Sequence, residues 1–454
     1  MGIYGALSTA VSGLKAQSFA LENISGNIAN SQTTGYKRMD TSFLDLIPDA
    51  PLKQQVPGAV LAYSQSTNDV QGDVNTASTG TFMALNGSGF FMVSAPAGKA
   101  DGQPIFDNEQ SYYTRRGDFF VDKDGYLVNG AGYYLKGKPI DTNTGNVMGS
   151  VPDVIRLSNI SLPAHPTSNI NYKLNLPLLP KNPNYQNTVP GSELMTPASF
   201  SDIDPGTGIS ANEEDEFLRQ SIAGGSITVY SANGAPMSVT MRWAKTDSAE
   251  QGGTDTWNLF YETNSSATGA GQMWTNAGTD FTFAADGSLS PAIDHVNLPA
   301  SINGVDTSST TLRFGDGGLT QQTDPDGAAT VTTLTQNGYG RGEYESVAVD
   351  DGGRVVASYS NGQQVEVFQV TTAEFNAPNA LKRLDGGIYQ ATAESGEPIV
   401  KDDGPIQGGA LEASNTDISE EFTKLIVTQQ AYSANTKIVS TASDMLQTAL
   451  NMIR

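Results

Sequence analysis

The sequence predicts an α+β fold: long helices at the two ends of the chain form a coiled-coil pair, and the middle is a nested set of mostly β domains, barrel- or sandwich-like. Three observations carry this. Apolar residues recur at a strict 3.5-residue spacing near both termini, and the middle shows no such period. The 48 glycines fall often in Asn-Gly, Asp-Gly and Ser-Gly steps, which join short strands by tight turns. At 454 residues the chain is long enough to bury more than one core.

At the N-terminus, Ile3, Leu7, Ala10, Leu14, Gln17, Leu21, Ile24 and Ile28 fall alternately four and three apart, with only Gln17 polar. Such a narrow seam needs a partner helix, because left in water it exposes every apolar side chain it carries. The helix should stop near Asn30, where the turn formers from Ser31 to Gly35 begin. Residues 36–80, with Pro48, Pro51 and Pro57, read as an extended connecting segment.

From Phe82 to Val93 two apolar runs flank Asn86-Gly87, the pattern of a hairpin, and Tyr112 to Val128 repeats it around Asp124-Gly125. Residues 158 to about 215, rich in Pro, Asn and Ser, read as a linker into a second unit. There, Ile227 to Tyr230 and Met237 to Trp243 flank Asn233-Gly234, followed by Trp257 to Tyr261 and Phe281 to Phe283; the unit closes near Thr335. Short strands return at Val347–Val349, Arg354–Tyr359 and Val365–Val370 and are expected to complete the first β domain. The expected division is therefore a discontinuous helical domain (1–35 with 410–454), the connecting segment 36–80, a discontinuous inner β domain (81–157 with 336–409) and one or two outer β domains (158–335). Such nesting lets the end helices sit side by side.

The C-terminal seam runs Ile418, Phe422, Leu425, Gln429, Tyr432, Thr436, Val439, Ser443, Leu446, Leu450 and Ile453. Asn415 or Thr416 can cap this helix, Asp417 and Glu420 have capping-box spacing, and Glu421 also lies in the first turn, where carboxylates meet the positive end of the helix dipole. Periodicity alone leaves two readings open, a helical hairpin within one chain or helix pairing between chains.

The net charge of −23 is unevenly placed. Residues 1–47 sum to zero and residues 410–454 to −2, so −21 falls on the middle. An acidic surface argues against nucleic acid and anionic membranes as partners and leaves the nearly neutral ends free to associate. No cysteine is present, which excludes disulfides and thiolate metal sites. The first 30 residues lack the basic and apolar regions of a cleaved signal peptide, and no transmembrane span is expected.

Nothing in the pattern asks for a catalytic or cofactor site. Asp122 to Gly125 and Asp324 to Gly327 resemble fragments of a calcium loop but lack its full ligand spacing. His165 and His295 have no ligand-type residue a helical turn away, no G-x-S-x-G occurs, and neither Gly98-Lys99 nor Gly137-Lys138 is followed by Ser or Thr as in a P-loop. Arg115-Arg116 reads as a solvated face or a subunit contact, and Trp243 and Trp257, alternating with polar residues, read as β-core.

The residues beside the two seams resemble those of the axial proteins of the bacterial flagellum, the rod and hook family. The N-terminal match is Asn27-Ile28-Ala29-Asn30 with Thr34-Gly35-Tyr36-Lys37-Arg38. The C-terminal match is Leu411 to Asp417, Gln429 to Asn435 and Met445-Leu446. Gly87 to Val93, Tyr113 to Gly132, Gly338 to Asp350 and Tyr359 to Gly362 resemble the β domain common to rod and hook proteins. Ile227 to Ser290 resembles the outer β domain that hook proteins add. The resemblance covers about the first 135 residues, about 225–290, and 336–454.

It implies a non-enzymatic structural subunit, without cofactor or metal. Such a subunit is exported unfolded through the flagellar type III apparatus without a cleaved signal. It polymerises into the hook, a curved flexible tube outside the cell that joins rod to filament and transmits motor torque. Implied partners are further copies of the chain, the distal rod protein, the hook cap scaffold and the hook–filament junction protein. In the family the terminal segments are disordered in the monomer and coil together on assembly, which makes Ile3, Leu7, Leu14, Leu21, Ile24, Ile28, Ile418, Phe422, Leu425, Tyr432, Val439, Leu446, Leu450 and Ile453 the expected self-assembly residues. The polar positions Gln17, Gln429, Thr436 and Ser443 would weaken the pairing and let subunits slide as the tube bends. A distal rod or hook–filament junction protein is the alternative within the family. An extracellular β-rich adhesin or carbohydrate-binding module on a helical stalk is the alternative outside it; such a module would keep its helices ordered in the monomer.

Overall fold

The structure is a computed structural model that describes residues 3–46, 58–100, 102–107, 110–142, 144–157 and 161–452. Three α-helices appear among them: α1 (Ile3–Ala29), α2 (Glu214–Gln220) and α3 (Ile418–Met452). Proline-free apolar-periodic sequence supports both terminal helices, and α1 and α3 pack together beside β-rich middle domains, the α+β class. The chain divides into two compact units, Met1–Ile160 with Tyr344–Ser358 and Gln364–Arg454, and Ser161–Glu343 with Tyr359–Gln363.

In the first unit, α1 ends at Ala29 and the chain turns through Gly35, whose φ of +64° suits glycine. Backbone proximity reinforces that choice, since a Cβ there would lie 2.7 Å from the carbonyl carbon of Arg115. The segment expected to be an extended connection contains a long antiparallel hairpin, Met39–Leu46 paired with Ala59–Ser66, lying along α1. Asn23 in α1 donates to Thr41 Oγ1 at 2.9 Å and Ser64 Oγ at 3.1 Å, so polar bonds rather than an apolar stripe hold the hairpin. That explains why hydrophobic patterning missed it; Pro48, Pro51 and Pro57 lie outside the described residues.

The main sheet of this unit mixes early and late strands. Tyr134–Pro139 pairs with Phe90–Ser94 through Tyr134 and Leu135 and with Gln364–Val370 through Gly137 to Pro139, with Gly137 opposite Val370. Phe90–Ser94 also pairs with Thr372–Glu374, and Tyr112–Thr114 pairs with Ile388–Gln390. Returning strands thus complete a sheet begun before residue 140. Phe90, Met92, Tyr113, Phe375, Leu381 and Tyr389 form a core on it, with the Tyr113 and Phe375 rings 4.8 Å apart, edge to face.

The hairpin expected across Asn86-Gly87 does not form. Met83–Leu85 pairs with Ile406–Gly408, while Phe90–Ser94 joins the main sheet. The Asn86 amide donates to the Pro405 carbonyl and the Gly87 amide to Gln71 Oε1, so neighbouring segments use the groups a hairpin turn would have paired. Asp124-Gly125 does turn a hairpin, joining Phe119–Val121 to Leu127–Asn129.

In the second unit, Ile222–Tyr230, Pro236–Asp247, Thr256–Glu262 and Gln272–Thr282 form a meander extended by Gly208–Ser210. The first two are the hairpin expected across Asn233-Gly234, with Tyr230 opposite Pro236. A second sheet is built around Asn169–Pro177, flanked by Thr311–Arg313, Leu319–Gln322 and Thr330–Gln336. The linker reading of 158–215 is therefore wrong over 169–177. Ile170, Tyr172, Leu174 and Leu176 alternate with polar residues and enter the largest core, with Trp243, Trp257, Leu259, Tyr261 and Phe281. Tyr172 donates to the Gly224 carbonyl and accepts from Trp243 Nε1 at 2.9 Å, which satisfies two polar groups inside that core. On the meander's other face α2 supplies Phe217, packed with Phe260 and Trp274.

Leu174→Ala should lower the stability of the second unit by about 2–5 kcal/mol, the usual cost of emptying a packed leucine site. Trp243, Trp257 and Trp274 all lie in this unit, so tryptophan fluorescence during urea unfolding reports it. An unchanged midpoint would show that Asn169–Pro177 is not part of the core.

Candidate assembly interface

The two sequence motifs beside the terminal helices meet around one carboxylate. Glu412, at the end of the strand Ala410–Glu412, is fully buried, as is Lys37; the Lys37 amine lies 2.5 Å from Glu412 Oε1 and donates to the Val70 carbonyl at 2.6 Å. The Gly72 amide also donates to Oε1, at 2.9 Å, and Arg115 Nη1 reaches Oε2 at 3.2 Å. Burial pulls the Lys37 pKa below its usual value; the Glu412 charge opposes that shift and the Arg115 charge adds to it.

Backbone pairing extends the junction. Gly35 N donates to the Glu412 carbonyl at 2.8 Å, and Arg38 N donates to Asn415 Oδ1 at 2.7 Å. Arg383 stacks 4.4 Å over the Tyr36 ring and donates to the Lys37 carbonyl. Asn415 spends its amide on Thr67, so it does not cap α3. Asp417 does, with Oδ1 accepting from Ser419 N at 2.7 Å and Glu420 N at 3.3 Å. Glu420 does not close a capping box; it pairs with Arg38 and Lys424, and these hydrogen bonds lower its pKa.

From this junction α1 and α3 run antiparallel. Asn27 near the end of α1 donates to Glu421 Oε2 at 3.0 Å in the first turn of α3, and Gly13 faces Asn435, where a Cβ would lie 3.0 Å from Nδ2. The buried line of α1 is Ala10, Gly13, Ala16, Ala20, Ile24 and Asn27; that of α3 includes Glu421, Thr428 and Ala442. Small side chains bring the backbones close, so the intramolecular contact line is offset from the large apolar residues of both seams, Ile24 excepted.

The seam residues are placed accordingly. Ile24 is buried in α1, and Leu7, Leu14, Leu21 and Ile28 are half-buried. In α3, Leu425, Val439 and Leu446 are half-buried, while Ile418, Phe422, Tyr432 and Leu450 are exposed, Phe422 at 49% and Leu450 at 67%. The polar positions divide similarly: Gln17 is half-buried, and Gln429, Thr436 and Ser443 are exposed. The Ile3 side chain and Ile453 lie outside the described residues. Further apolar side chains stand exposed beside them: Ile426, Val427, Ile438 and Met445 on α3, and Phe43, Leu44, Leu61 and Tyr63 on the hairpin. A groove of about 520 Å³ between α1, α3 and the hairpin is lined by Ala20, Ile24, Phe43, Val427 and Ala431 among others.

Two buried polar clusters were not read from the sequence as such. Arg115, expected on a solvated face or subunit contact, is buried at the Glu412 junction because two cations share one carboxylate; Arg116 pairs with Asp118 at 2.6 Å. The available signal was composition: Glu412 is a charge set among uncharged, mostly small residues, and Lys37 a cation in the motif at the opposite end of the chain. Asn27 and Glu421 carried no signal beyond a helix-end asparagine and a first-turn acid. Among the described residues no group of three or more potential metal ligands occurs.

Comparison with known proteins matches four stretches to family descriptions. Residues 7–37 match "Flagella basal body rod protein", 84–173 "Flagellar hook protein FlgE/F/G D1 domain", 204–339 "Flagellar basal body protein FlaE D2 domain" and 407–452 "Flagellar basal body rod FlgEFG protein C-terminal". Over its full length the chain is 29% identical to the flagellar hook protein FlgE of Brucella suis, covering 100% of both. It is 28% identical to that of Escherichia coli K12, covering 98% of this chain and 100% of the other. For Salmonella typhimurium the identity is 29%, covering 98% and 99%.

Glu412→Ala should destabilise the first unit by about 3–5 kcal/mol, since it strands two buried cations. Lys123→Ala, which removes an exposed partner of Asp124, should change stability by less than about 0.5 kcal/mol. Urea unfolding followed by far-UV circular dichroism separates the two cases; equal midpoints would show that the Glu412 cluster holds nothing together.

Proposed function

Because the chain belongs to the flagellar rod and hook protein family, as a structural hook subunit without enzymatic activity, we propose that copies of it polymerise through their terminal helices. The polymer is the hook, the flexible tubular joint that couples rod to filament and passes on motor torque. The supporting observation is the apolar surface that one chain leaves uncovered. Phe422, Ile426, Val427, Tyr432, Ile438, Met445 and Leu450 stand exposed on a single helix, whereas the β units have packed cores around side chains such as Phe90, Tyr113, Trp243 and Phe281. Monomeric proteins rarely leave so much apolar side chain in water, and a second copy of the chain is a partner that covers it.

The exposed half of the seam, Ile418, Phe422, Tyr432 and Leu450, then meets neighbouring copies. Its half-buried half, Leu7, Leu14, Leu21, Ile28, Leu425, Val439 and Leu446, backs those contacts from the edge of the α1–α3 pair. The wider reading gives the tube the distal rod protein at one end and the hook–filament junction protein at the other. It is assembled outside the cell under the cap scaffold from chains delivered by the export apparatus. Among the described residues no helix is long and apolar enough to cross a membrane.

Phe422→Asp and Leu450→Asp each place a charge on surface that is exposed in a single chain. Stability should therefore change by no more than about 0.5 kcal/mol, while polymer formation is lost. Sedimentation and electron microscopy of concentrated protein provide the readout. Tubes from the parent and none from the variants are expected; tubes of normal yield from both variants would overturn the assignment of this surface.

A further inference from the structure

We propose that the buried Asn27–Glu421 pair sets the register of the two terminal helices and so decides which surface of α3 is presented to other copies. Fourteen residues separate Gly13 from Asn27, and fourteen separate Glu421 from Asn435, so the two contacts lie in one antiparallel register spanning two heptads. Between them the touching faces are mostly small, Gly13, Ala16 and Ala20 on one helix and Thr428 and Ala431 on the other, with the larger Ile24 buried near the Asn27 end. Faces of this kind discriminate only weakly between registers by shape. A slip of one heptad in either direction sets Gly13 against Ala442 or Thr428, again small against small.

The polar pair does discriminate. Slipped one way, Glu421 lies opposite Ala20; slipped the other way, it passes the end of α1 and Asn27 faces Thr428. Glu421 then loses its hydrogen bond from Asn27, and in the first case its carboxylate is desolvated against an alanine, an arrangement strongly disfavoured in a protein interior. Asn27 cannot follow the slip. Its Oδ1 accepts from Met39 N at 2.9 Å and from the Tyr36 hydroxyl at 3.3 Å, and its Nδ2 donates to the Met39 carbonyl at 3.0 Å, which fixes it to the start of the hairpin. Glu421 is held from its other oxygen by Lys424 at 3.0 Å. A one-heptad slip moves α3 by about 10 Å along its axis, carrying Phe422, Tyr432 and Leu450 with it. A single polar contact selecting one register among apolar alternatives is a known device of coiled coils. It operates within one chain and does not depend on what the helices assemble with.

The absence of native cysteine makes register directly readable in the full chain. Gly13→Cys with Asn435→Cys reports the register seen here, while Gly13→Cys with Ala442→Cys or with Thr428→Cys reports the two slips. After mild oxidation, intrachain disulfide is quantified by non-reducing electrophoresis and mass spectrometry. With Glu421 present, the 13–435 bond should dominate. Adding Glu421→Leu should cut its yield several-fold and raise at least one slipped product. Glu421→Gln, which keeps an acceptor for Asn27, should preserve the parental pattern. Should the leucine variant lose its cooperative β unfolding, Glu421→Ala takes its place under the same criteria. An unchanged disulfide pattern without the carboxylate, or slipped bonds as abundant as the 13–435 bond in the parent, overturns the proposal.

Discussion

The first unit depends on a carboxylate that has no access to water. Glu412 is surrounded by Lys37, Arg115 and the Gly72 amide, all donating to its two oxygens. Alone in a protein interior that charge would cost several kcal/mol. Two cations and a backbone donor offset it only while all three segments that carry them are in place. The cluster therefore acts as a condition on the fold: the turn after α1, the segment at Gly72 and the loop holding Arg115 must all meet the strand before α3. Lys37 and Glu412 are 375 residues apart in sequence, yet the entropy of closing a chain segment grows only with the logarithm of its length. A self-folding unit inserted between them reduces the segment's freedom further. Nesting is thus the topology that makes this distant pair affordable.

Fixing both helix ends at one junction also decides how the helices meet. The turn through Gly35 and the short strand ending at Glu412 place α1 and α3 antiparallel at close range. Close range favours the face with the smallest side chains, so Ala10, Gly13, Ala16 and Ala20 face inward with Thr428 and Ala442, and leucines are left at the margin. The 3.5-residue period seen in sequence is real on both helices. Large apolar residues are usually taken to mark the centre of a seam, but here, Ile24 apart, they flank it on α1 and partly face away on α3. One period thus leaves two faces, an inner one lined mostly by small residues and an exposed one carrying Phe422, Tyr432 and Leu450, which the proposed assembly would cover.

The same contrast explains what the sequence disclosed elsewhere. Terminal helices and the hairpins at Asp124-Gly125 and Asn233-Gly234 were legible because periodicity and turn chemistry are local. The strand Asn169–Pro177 was equally local, with Ile170, Tyr172, Leu174 and Leu176 in strict alternation, but the prolines and asparagines around it masked the pattern. Asn86-Gly87 misled because a turn signal states that the chain bends, not which strands pair after the bend. The Glu412 junction was out of reach for a different reason. A buried ion pair is recognisable from sequence only when its partners are near each other or lie on one periodic face, and here they come from three distant segments. Lys37 and Glu412 stood within motifs that resemble flagellar axial proteins, but resemblance marks a residue without saying what it touches.

Charge placement completes the physical division between the ends and the middle. The −21 carried between the terminal segments makes the β units of neighbouring copies repel, over a range of about 8 Å at physiological ionic strength. The terminal segments carry almost no net charge and expose apolar side chains on α3, so the proposed polymer would find its attraction there, at short range. Repulsion of this kind does not oppose a specific contact so much as remove the non-specific ones. On the proposed assembly, copies that meet through their β units would separate, whereas copies that meet through α3 would bury Phe422, Ile426 and their neighbours. The selectivity of association would then rest on the arrangement of α1 against α3, which sets the helical surface that each copy presents.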